Sequence, residues 1–407
     1  MNDELDARDG SSFIAQRSSF SQHWLLDPSI TFLNHGSFGA TPKVVLEKQS
    51  ELRRRMEREP VLFLARELEG LLDDVRRDLA RFVTADPDDV VFVPNATSAI
   101  NSVLRSMKLH ENDDLLVTTH EYNACRNTLD FIAERSGARV KVVEIPFPLR
   151  SEDEVFEQIV SAATTRTRLL LIDHITSPTA LVLPVQRIVR EMSTLGIDTI
   201  IDGAHGPGQV PLDMQAVGAA YYTGNLHKWV CAPKGAAFLF VRDDKRAGIR
   251  PSVISHGANS PRTDRSRFQI EFDWTGTFDP TPWLAAGEAL RFMPTLVEGG
   301  WAEVMRRNHE LALRARDVLC EALEIEKPAR DDMLGSMASV PLPDGTATEI
   351  DPIKGDPLQV ELFDRFKIEV PVHIWPSPPK RVLRVSAQLY NTIDEYRHLA
   401  SALRQIL

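Results

Sequence analysis

The sequence predicts an α/β fold in three layers, built on a mostly parallel sheet, with a smaller α+β domain at the C-terminal end. From about residue 45, short apolar runs alternate with stretches of helical periodicity, which is typical of a sheet covered by helices. The 407 residues exceed what one hydrophobic core usually supports. After about residue 295 the alternation gives way to a long amphipathic stretch and proline-rich turns. We therefore expect an N-terminal arm over residues 1–30, a large domain over 31–295 and a small domain over 296–407.

Short runs of β-branched and other apolar residues predict the strands of the sheet. Helical spacing precedes the first of these runs, in Leu68, Leu72, Val75 and Leu79, and helix-like stretches separate several of the others. In the small domain, residues 301–323 predict a long amphipathic helix, and Thr392 with Glu395 has the pattern of a capping box at the start of the last helix. The predicted strand runs are residues 90–93, 115–117, 140–145, 169–172, 199–201, 219–222 and 236–241.

Composition narrows the class of protein. The formal net charge of −11 argues against a general nucleic-acid-binding protein, which would be basic. No apolar stretch reaches the length of a membrane span, and the polar N-terminus lacks the pattern of a secretion signal. The 3 cysteines do not suggest a disulfide framework. We expect a cytoplasmic protein that binds neither nucleic acid nor a membrane, and we expect no metal site.

Polar residues follow several predicted strands, where a parallel α/β sheet usually binds its ligands. Asn95, Ala96, Thr97 and Ser98 join the run at 90–93 to a helix. Free backbone N–H groups at a helix start attract phosphate, and hydroxyl groups add hydrogen-bond donors. Taken alone, such residues more often form a simple helix cap.

Two ionisable residues follow later strands. Asp202 ends the run at 199–201, where a carboxylate can pair with the protonated ring nitrogen of a cofactor; the alternative is an ordinary Asp-Gly turn. Lys228 lies between His227 and Trp229 just beyond a strand, where partial burial would lower its pKa and suit it to Schiff-base chemistry. The alternative is a surface cation whose alkyl chain covers Trp229.

Arg384 lies between apolar residues of a predicted strand in the C-terminal segment. A buried guanidinium requires an anionic partner, because an unpaired buried charge is costly. A substrate carboxylate would bind it through two parallel hydrogen bonds. An internal salt bridge would serve equally well, and the sequence alone favours that alternative.

These segments occur in an order that resembles the class V aminotransferase family of fold-type I enzymes that use pyridoxal 5′-phosphate (PLP), and especially its isopenicillin N epimerase-like branch. The resemblance covers about residues 30–390, and the ordered set is far more specific than any single motif. It implies the PLP-dependent transferase fold and PLP as the cofactor. The matching segments are Leu33-Asn34-His35-Gly36-Ser37-Phe38-Gly39, Asn95-Ala96-Thr97, His120-Glu121-Tyr122-Asn123-Ala124, Asp202-Gly203-Ala204-His205, Asn225-Leu226-His227-Lys228-Trp229, Trp274-Thr275-Gly276-Thr277 and Arg384-Val385-Ser386.

The resemblance implies a role for each matching residue. Lys228 would carry the cofactor as an internal aldimine and then act as general base at the α-carbon, while Asp202 would keep the pyridine nitrogen protonated. Tyr122 would stack on the cofactor, and His205 would lie near its ring or the substrate. The remaining implied contacts are with the cofactor for Asn95, Ala96, Thr97, Ser177, Asn225 and His227, with the substrate for Asn34, His35 and Arg384, and with the phosphate of the neighbouring subunit of a homodimer for Thr277.

The implied reaction begins when an amino-acid substrate loses its α-proton to give a quinonoid-type carbanion. Epimerisation is the outcome that the branch indicates, with C–S β-elimination of a cysteine conjugate or transamination as alternatives. Residues 340–384 contain no cysteine, which argues against a cysteine desulfurase. A catalytically silent binding protein of the same fold is a remote alternative.

Overall fold

The computed structural model describes residues 18–346 and 356–407. Its strands are β1 Thr31–Phe32, β2 Val90–Val93, β3 Asp114–Thr118, β4 Arg139–Val143, β5 Thr167–Asp173, β6 Asp198–Asp202, β7 Tyr221–Asn225, β8 Ala237–Val241, β9 Met337–Leu342, β10 Ile368–Glu369, β11 Val372–Ile374 and β12 Arg381–Ser386. Its α-helices are α1 His35–Phe38, α2 Lys43–Arg58, α3 Pro60–Leu62, α4 Leu68–Phe82, α5 Ala96–Ser106, α6 Asn123–Ser136, α7 Glu152–Ala162, α8 Val185–Thr194, α9 Met214–Val217, α10 Asp243–Arg246, α11 Arg267–Asp273, α12 Thr281–Phe292, α13 Gly300–Leu323, α14 Pro357–Phe366 and α15 Ile393–Ile406.

The largest sheet has seven strands in the order β2-β8-β7-β6-β5-β3-β4. Strands β7, β6, β5, β3 and β4 run parallel, while β8 is antiparallel to both of its neighbours. Strands β2, β3, β7 and β8 are buried along their whole length, as expected when helices cover both faces of a sheet. The predicted fold class is confirmed, and each predicted strand run overlaps one strand of this sheet.

Two hydrophobic cores lie on opposite faces of the large sheet. In β2, Val90 and Phe92 belong to one core and Val91 and Val93 to the other, because successive side chains of a strand point to opposite faces. Helices α4, α8 and α12 contribute to the first core, and α5 and α6 to the second. The sheet therefore forms the middle of three layers.

The C-terminal segment contains an antiparallel sheet in the order β11-β12-β9, with α13 and α15 packed beside it. Helix α13 covers the helix predicted at 301–323. The predicted capping box is present at the start of α15, where the Glu395 carboxylate accepts a hydrogen bond from the backbone N–H of Thr392 at 2.7 Å. The first core continues from the large sheet into this segment, so the predicted boundary after residue 295 stays a prediction.

The N-terminal segment crosses between these two parts of the molecule. Strand β1 pairs with β10, and this pairing carries the chain into α1, next to the carboxyl end of β7. Residues 1–17 of the predicted arm lie outside the described residues. Within the described ranges, no helix combines the length and the apolar character needed to cross a membrane.

Candidate active site

A cavity of about 500 Å³ lies at the carboxyl ends of the parallel strands, where open α/β sheets bind ligands. Its size is that of a small-molecule site. Four residues to which the sequence assigned no role also line it: Ser37, Phe38, Asp173 and Ala204. The predicted residues along its wall are Asn95, Ala96, Thr97, Tyr122, Ser177, Asp202, His205, Asn225, His227 and Lys228.

Lys228 follows β7 in a turn, and His35 and Gly39 of the N-terminal segment contact the backbone of that turn. His35 donates a hydrogen bond through Nε2 to the backbone oxygen of Lys228 at 3.0 Å. Gly39 packs against the same turn with a φ of 71°, and a Cβ on it would lie 1.9 Å from the backbone oxygen of His227. Only glycine fits there, which explains the second glycine of the His-Gly-Ser-Phe-Gly segment.

Burial and the nearby charge of Arg384 lower the pKa of Lys228 to about 7. The cause is that a poorly solvated ammonium is disfavoured relative to the neutral amine. A large share of Lys228 is therefore an unprotonated nucleophile near neutral pH, as carbonyl chemistry requires.

If Lys228 carries PLP, as the family resemblance implies, this pKa predicts how the cofactor-free protein captures it. Only the neutral amine attacks an aldehyde, so the rate of covalent capture should rise with pH and level off above about 7 rather than near the ordinary lysine value of 10.5. One unit below the midpoint, the rate should be about tenfold lower than on the plateau. Stopped-flow absorbance, recorded at pH values from below the midpoint near 7 up to the ordinary lysine value of 10.5, measures this profile. A rate that still climbs steeply far above the midpoint would contradict the low pKa.

Asp202 is the last residue of β6, and the backbone N–H of Ala204 and the Cys125 thiol donate hydrogen bonds to its two oxygens at 2.9 and 3.2 Å. Asp173 ends β5 and is paired with Asp202 in the sheet register. Glu121 completes a group of three buried carboxyl groups, whose pKa values are all raised by burial, with mutual repulsion adding to the rise for Glu121 and Asp173.

Several of these carboxylate oxygens have no hydrogen-bond partner among the described residues. They are both oxygens of Glu121 and Oδ2 of Asp173. Of these two residues, Asp173 lines the cavity. A buried unpaired acceptor is costly, so the cavity beside Asp173 favours a ligand that brings a cation or a donor. The protonated ring nitrogen of PLP is such a group.

The start of α5 forms another part of the wall, which is uncharged. Asn95 caps the helix by accepting a hydrogen bond from the backbone N–H of Ser98 at 2.8 Å. The backbone N–H of Ala96 is already engaged by Oδ1 of Asn225 at 2.9 Å. Thr97 and Ser98 also line the cavity. The Ser98 hydroxyl donates to Oδ1 of Asn95 at 3.0 Å, so the Thr97 hydroxyl is the side-chain donor that this helix start offers to a phosphate.

The two histidines of the wall are both neutral, because burial lowers the pKa of His227 to about 4 and that of His205 well below its ordinary value. Nδ1 of His227 donates a hydrogen bond to the backbone oxygen of Ala236 at 3.0 Å, which leaves Nε2 for a ligand. Nε2 of His205 lies 3.0 Å from Nζ of Lys228. Tyr122, at the start of α6, lines the cavity and is 49% exposed.

Arg384 is buried, and neutral oxygens hold its guanidinium. Nη1 donates to the backbone oxygen of Ser177 at 2.6 Å and to its hydroxyl at 3.2 Å, and Nη2 donates to the hydroxyl of Ser37 at 3.1 Å. Within residues 18–346 and 356–407, Nε has no partner and no carboxylate pairs with this side chain. The internal salt bridge that the sequence favoured is therefore wrong. The site carries an uncompensated positive charge beside two residues that line the cavity.

Arg384 lies behind Ser177 and Ser37 rather than on the cavity wall itself, and three further predicted contact residues also lie away from that wall. His35 is 1% exposed and bonded to Tyr390 and to the Lys228 backbone, and Asn34 bonds to Glu369 and Ser37. Both support the wall from behind, and their contact with substrate stays a prediction. Thr277 is exposed after α11, outside this chain's own cavity, and its contact with a neighbouring subunit also stays a prediction.

A family model described as aminotransferase class-V matches residues 33–356. The chain belongs to the class V aminotransferase family. It is therefore an enzyme, and its cofactor is PLP, for which the neutral lysine, the buried carboxylates and the helix start provide fitting partners.

Two curated relatives illustrate the range of reactions near this chain. The isopenicillin N epimerase of Amycolatopsis lactamdurans is 37% identical over 94% of this chain and 96% of its own length. The probable chloroplastic L-cysteine desulfhydrase of Arabidopsis thaliana is 32% identical over 96% of this chain and 85% of its own length. The relatives of this chain are thus named for different reactions, and family membership alone does not identify the reaction.

Solved structures agree on the fold. A cystine C–S lyase, in complex with its product cysteine persulfide, aligns with a TM-score of 0.75 at 20% identity, covering 92% of this chain and 97% of its own. An apo cysteine desulfurase from Thermococcus onnurineus aligns with a TM-score of 0.77 at 17% identity, covering 96% and 98%. At these identities the likeness establishes the fold and leaves the reaction to the residues of the site.

Proposed function

We propose that this enzyme epimerises the α-carbon of an amino acid, as the isopenicillin N epimerase-like resemblance implies. The observation that carries the proposal is the pairing of a neutral Lys228 amine with the uncompensated charge of Arg384 around one cavity. An amine nucleophile and a carboxylate receptor together select a substrate that has both an amino and a carboxylate group.

Each residue has a defined task in this proposal. PLP, when bound, supplies an electron sink for the negative charge that develops at the α-carbon. Asp202 holds a proton at the ring nitrogen, with its carboxylate oriented by Ala204 and Cys125. Arg384 binds the α-carboxylate, and the Lys228 amine takes the α-proton as general base.

A C–S lyase acting on a cysteine conjugate is the second candidate. It is supported by the desulfhydrase relative and needs the same first proton transfer. The two reactions diverge only afterwards: epimerisation returns a proton to the opposite side of the α-carbon, whereas elimination expels a group from the β-carbon. A desulfurase is disfavoured, because residues 340–384 contain no cysteine that would accept sulfur.

Incubation with a panel of amino acids in deuterated water separates these outcomes. Epimerisation predicts deuterium at the α-carbon together with inverted configuration, measured by mass spectrometry and chiral chromatography. Release of pyruvate and ammonia from cysteine conjugates, with no inverted product from any amino acid, would replace the epimerase proposal by the lyase. Formation of a keto acid in a single turnover would indicate transamination. The Lys228→Ala variant serves as the blank in every arm.

We also propose a homodimer in which Thr277 reaches the phosphate bound in the neighbouring subunit, and an amino-acid substrate as the small-molecule partner. Exposure of Thr277 outside its own cavity is compatible with that role. Sedimentation of the PLP-loaded enzyme measures the mass, and an active monomer would contradict the shared site.

A further inference from the structure

Trp229 connects directly to the two nitrogen atoms at the centre of the site. Its side chain is 1% exposed, so the alternative in which Lys228 merely covers a surface tryptophan is wrong. The indole N–H donates a hydrogen bond to Nδ1 of His205 at 3.3 Å, and Nε2 of the same ring lies 3.0 Å from Nζ of Lys228. Trp229, His205 and Lys228 thus form a chain of hydrogen bonds.

The direction of the hydrogen bonds in this chain follows from elementary chemistry. An indole nitrogen can only donate, so Nδ1 of His205 must be the acceptor and carries no proton. Burial keeps His205 neutral, and a neutral imidazole has one N–H. That proton is therefore on Nε2, and Nε2–H donates to the lone pair on Nζ of Lys228.

We propose that Trp229 is a positioning residue that fixes the tautomer of His205, making His205 a hydrogen-bond donor to the Lys228 nitrogen. This inference deepens the proposed function. It rests on that function in one respect only, the role of Lys228 as the base. A ring nitrogen that already holds its proton cannot remove another. Proton abstraction at the α-carbon therefore falls to Lys228, and His205 stabilises the unprotonated form of the nitrogen at position 228.

Other titratable groups face the same two side chains and must be held constant in any test. Those acting on Lys228 come from β12, β6, α6 and β5, and those acting on His205 include His373 in β11. The groups are Arg384, Asp202, Cys125 and Asp173 around Lys228, and Lys228, Arg384, His373 and His227 around His205. Changing Trp229 alters none of them.

The test compares four proteins loaded with PLP: the native enzyme, Trp229→Phe, His205→Phe and the double variant. In Trp229→Phe the imidazole is free to turn its lone pair toward Nζ and accept a proton from it. The absorbance titration of the lysine-bound cofactor should then shift to higher pH, by about one unit for one hydrogen bond that distinguishes the protonation states.

The double-mutant cycle separates this role from packing. In the His205→Phe background there is no tautomer to fix, so adding Trp229→Phe should leave the titration midpoint nearly unchanged. A shift of the same size in both backgrounds would mean that Trp229 acts only through packing, and it would overturn the proposal.

A second measurement is made on the native protein, so no side chain is removed from the protein whose spectrum is recorded. Nitrogen-15 spectra of histidine-labelled native protein, with and without PLP, should show His205 protonated at Nε2 and bare at Nδ1. The signal is assigned by its absence in His205→Phe. A proton on Nδ1 would overturn the inference whatever reaction the enzyme catalyses, whereas a lyase product in the deuterium experiment would leave it standing.

Discussion

The Lys228→Ala variant is expected to lose about four orders of magnitude or more in kcat/KM, because one side chain both binds the cofactor covalently and moves the α-proton. The variant should also lose the absorbance of the lysine-bound cofactor. After borohydride reduction, mass analysis should find the native adduct on the peptide that contains position 228 and none on the variant. Folding should survive, because the lost amine makes its described contact with His205 alone and its charged form is disfavoured where it lies.

Lys234 provides the matched control, since it is the nearest other lysine in the chain. Its ammonium bonds to the backbone oxygen of Gly39 at 2.9 Å, and it does not line the cavity. Lys234→Arg keeps that cationic donor but removes the primary amine, so it should retain the adduct and its colour. Two results would refute the assignment of Lys228 as the cofactor-binding lysine. One is turnover by Lys228→Ala at the native rate, and the other is loss of the adduct in Lys234→Arg.

The sequence contained most of the information about the large sheet. Its strands are short and, apart from β4, largely buried, so apolar runs located all of them, although their ends differ by a few residues. The run at 140–145 ends later than β4, which stops at Val143. The run at 219–222 missed the end of β7, because Gly224 and Asn225 are untypical of a strand and belong to it only through pairing with β8.

The sequence predicted those site residues that directly follow a predicted strand and whose type suits the chemistry at that position. Asp202 and Lys228 were found in this way, and Asp173 carries the same signal as Asp202, an acid that closes an apolar run. Cys125 and Trp229 carry no such signal. Their roles depend on hydrogen bonds to residues 77 and 24 positions away in the chain, which only the folded structure brings together.

Arg384 shows the limit of the sequence most clearly. Its apolar neighbours predicted that it is buried, and it is 1% exposed. The nature of its partner was not predictable, because Ser177 and Ser37 are 207 and 347 positions away. The salt bridge expected from general experience is replaced by neutral oxygens, and burial lowers the pKa of the guanidinium to about 10.

The Arg384→Leu variant is accordingly expected to lose about a hundredfold or more in kcat/KM for an amino-acid substrate, mainly through a higher KM. Initial rates at varied substrate concentration measure this split. Arg384→Lys should recover only part of the loss, because a lysine keeps the charge but cannot donate to Ser177, Ser37 and a carboxylate in one plane.

The decisive comparison uses the amine that corresponds to the substrate without its α-carboxylate. This amine should bind the native enzyme weakly, and Arg384→Leu should change its binding little, measured by the shift of the cofactor's absorbance. Equal losses for the amino acid and the amine would mean that Arg384 acts by holding Ser177 and Ser37 in place. A selective loss is expected because neutral oxygens orient a guanidinium without cancelling its charge. That charge remains uncompensated until an anion enters the cavity, and the α-carboxylate is the anion that every amino-acid substrate brings.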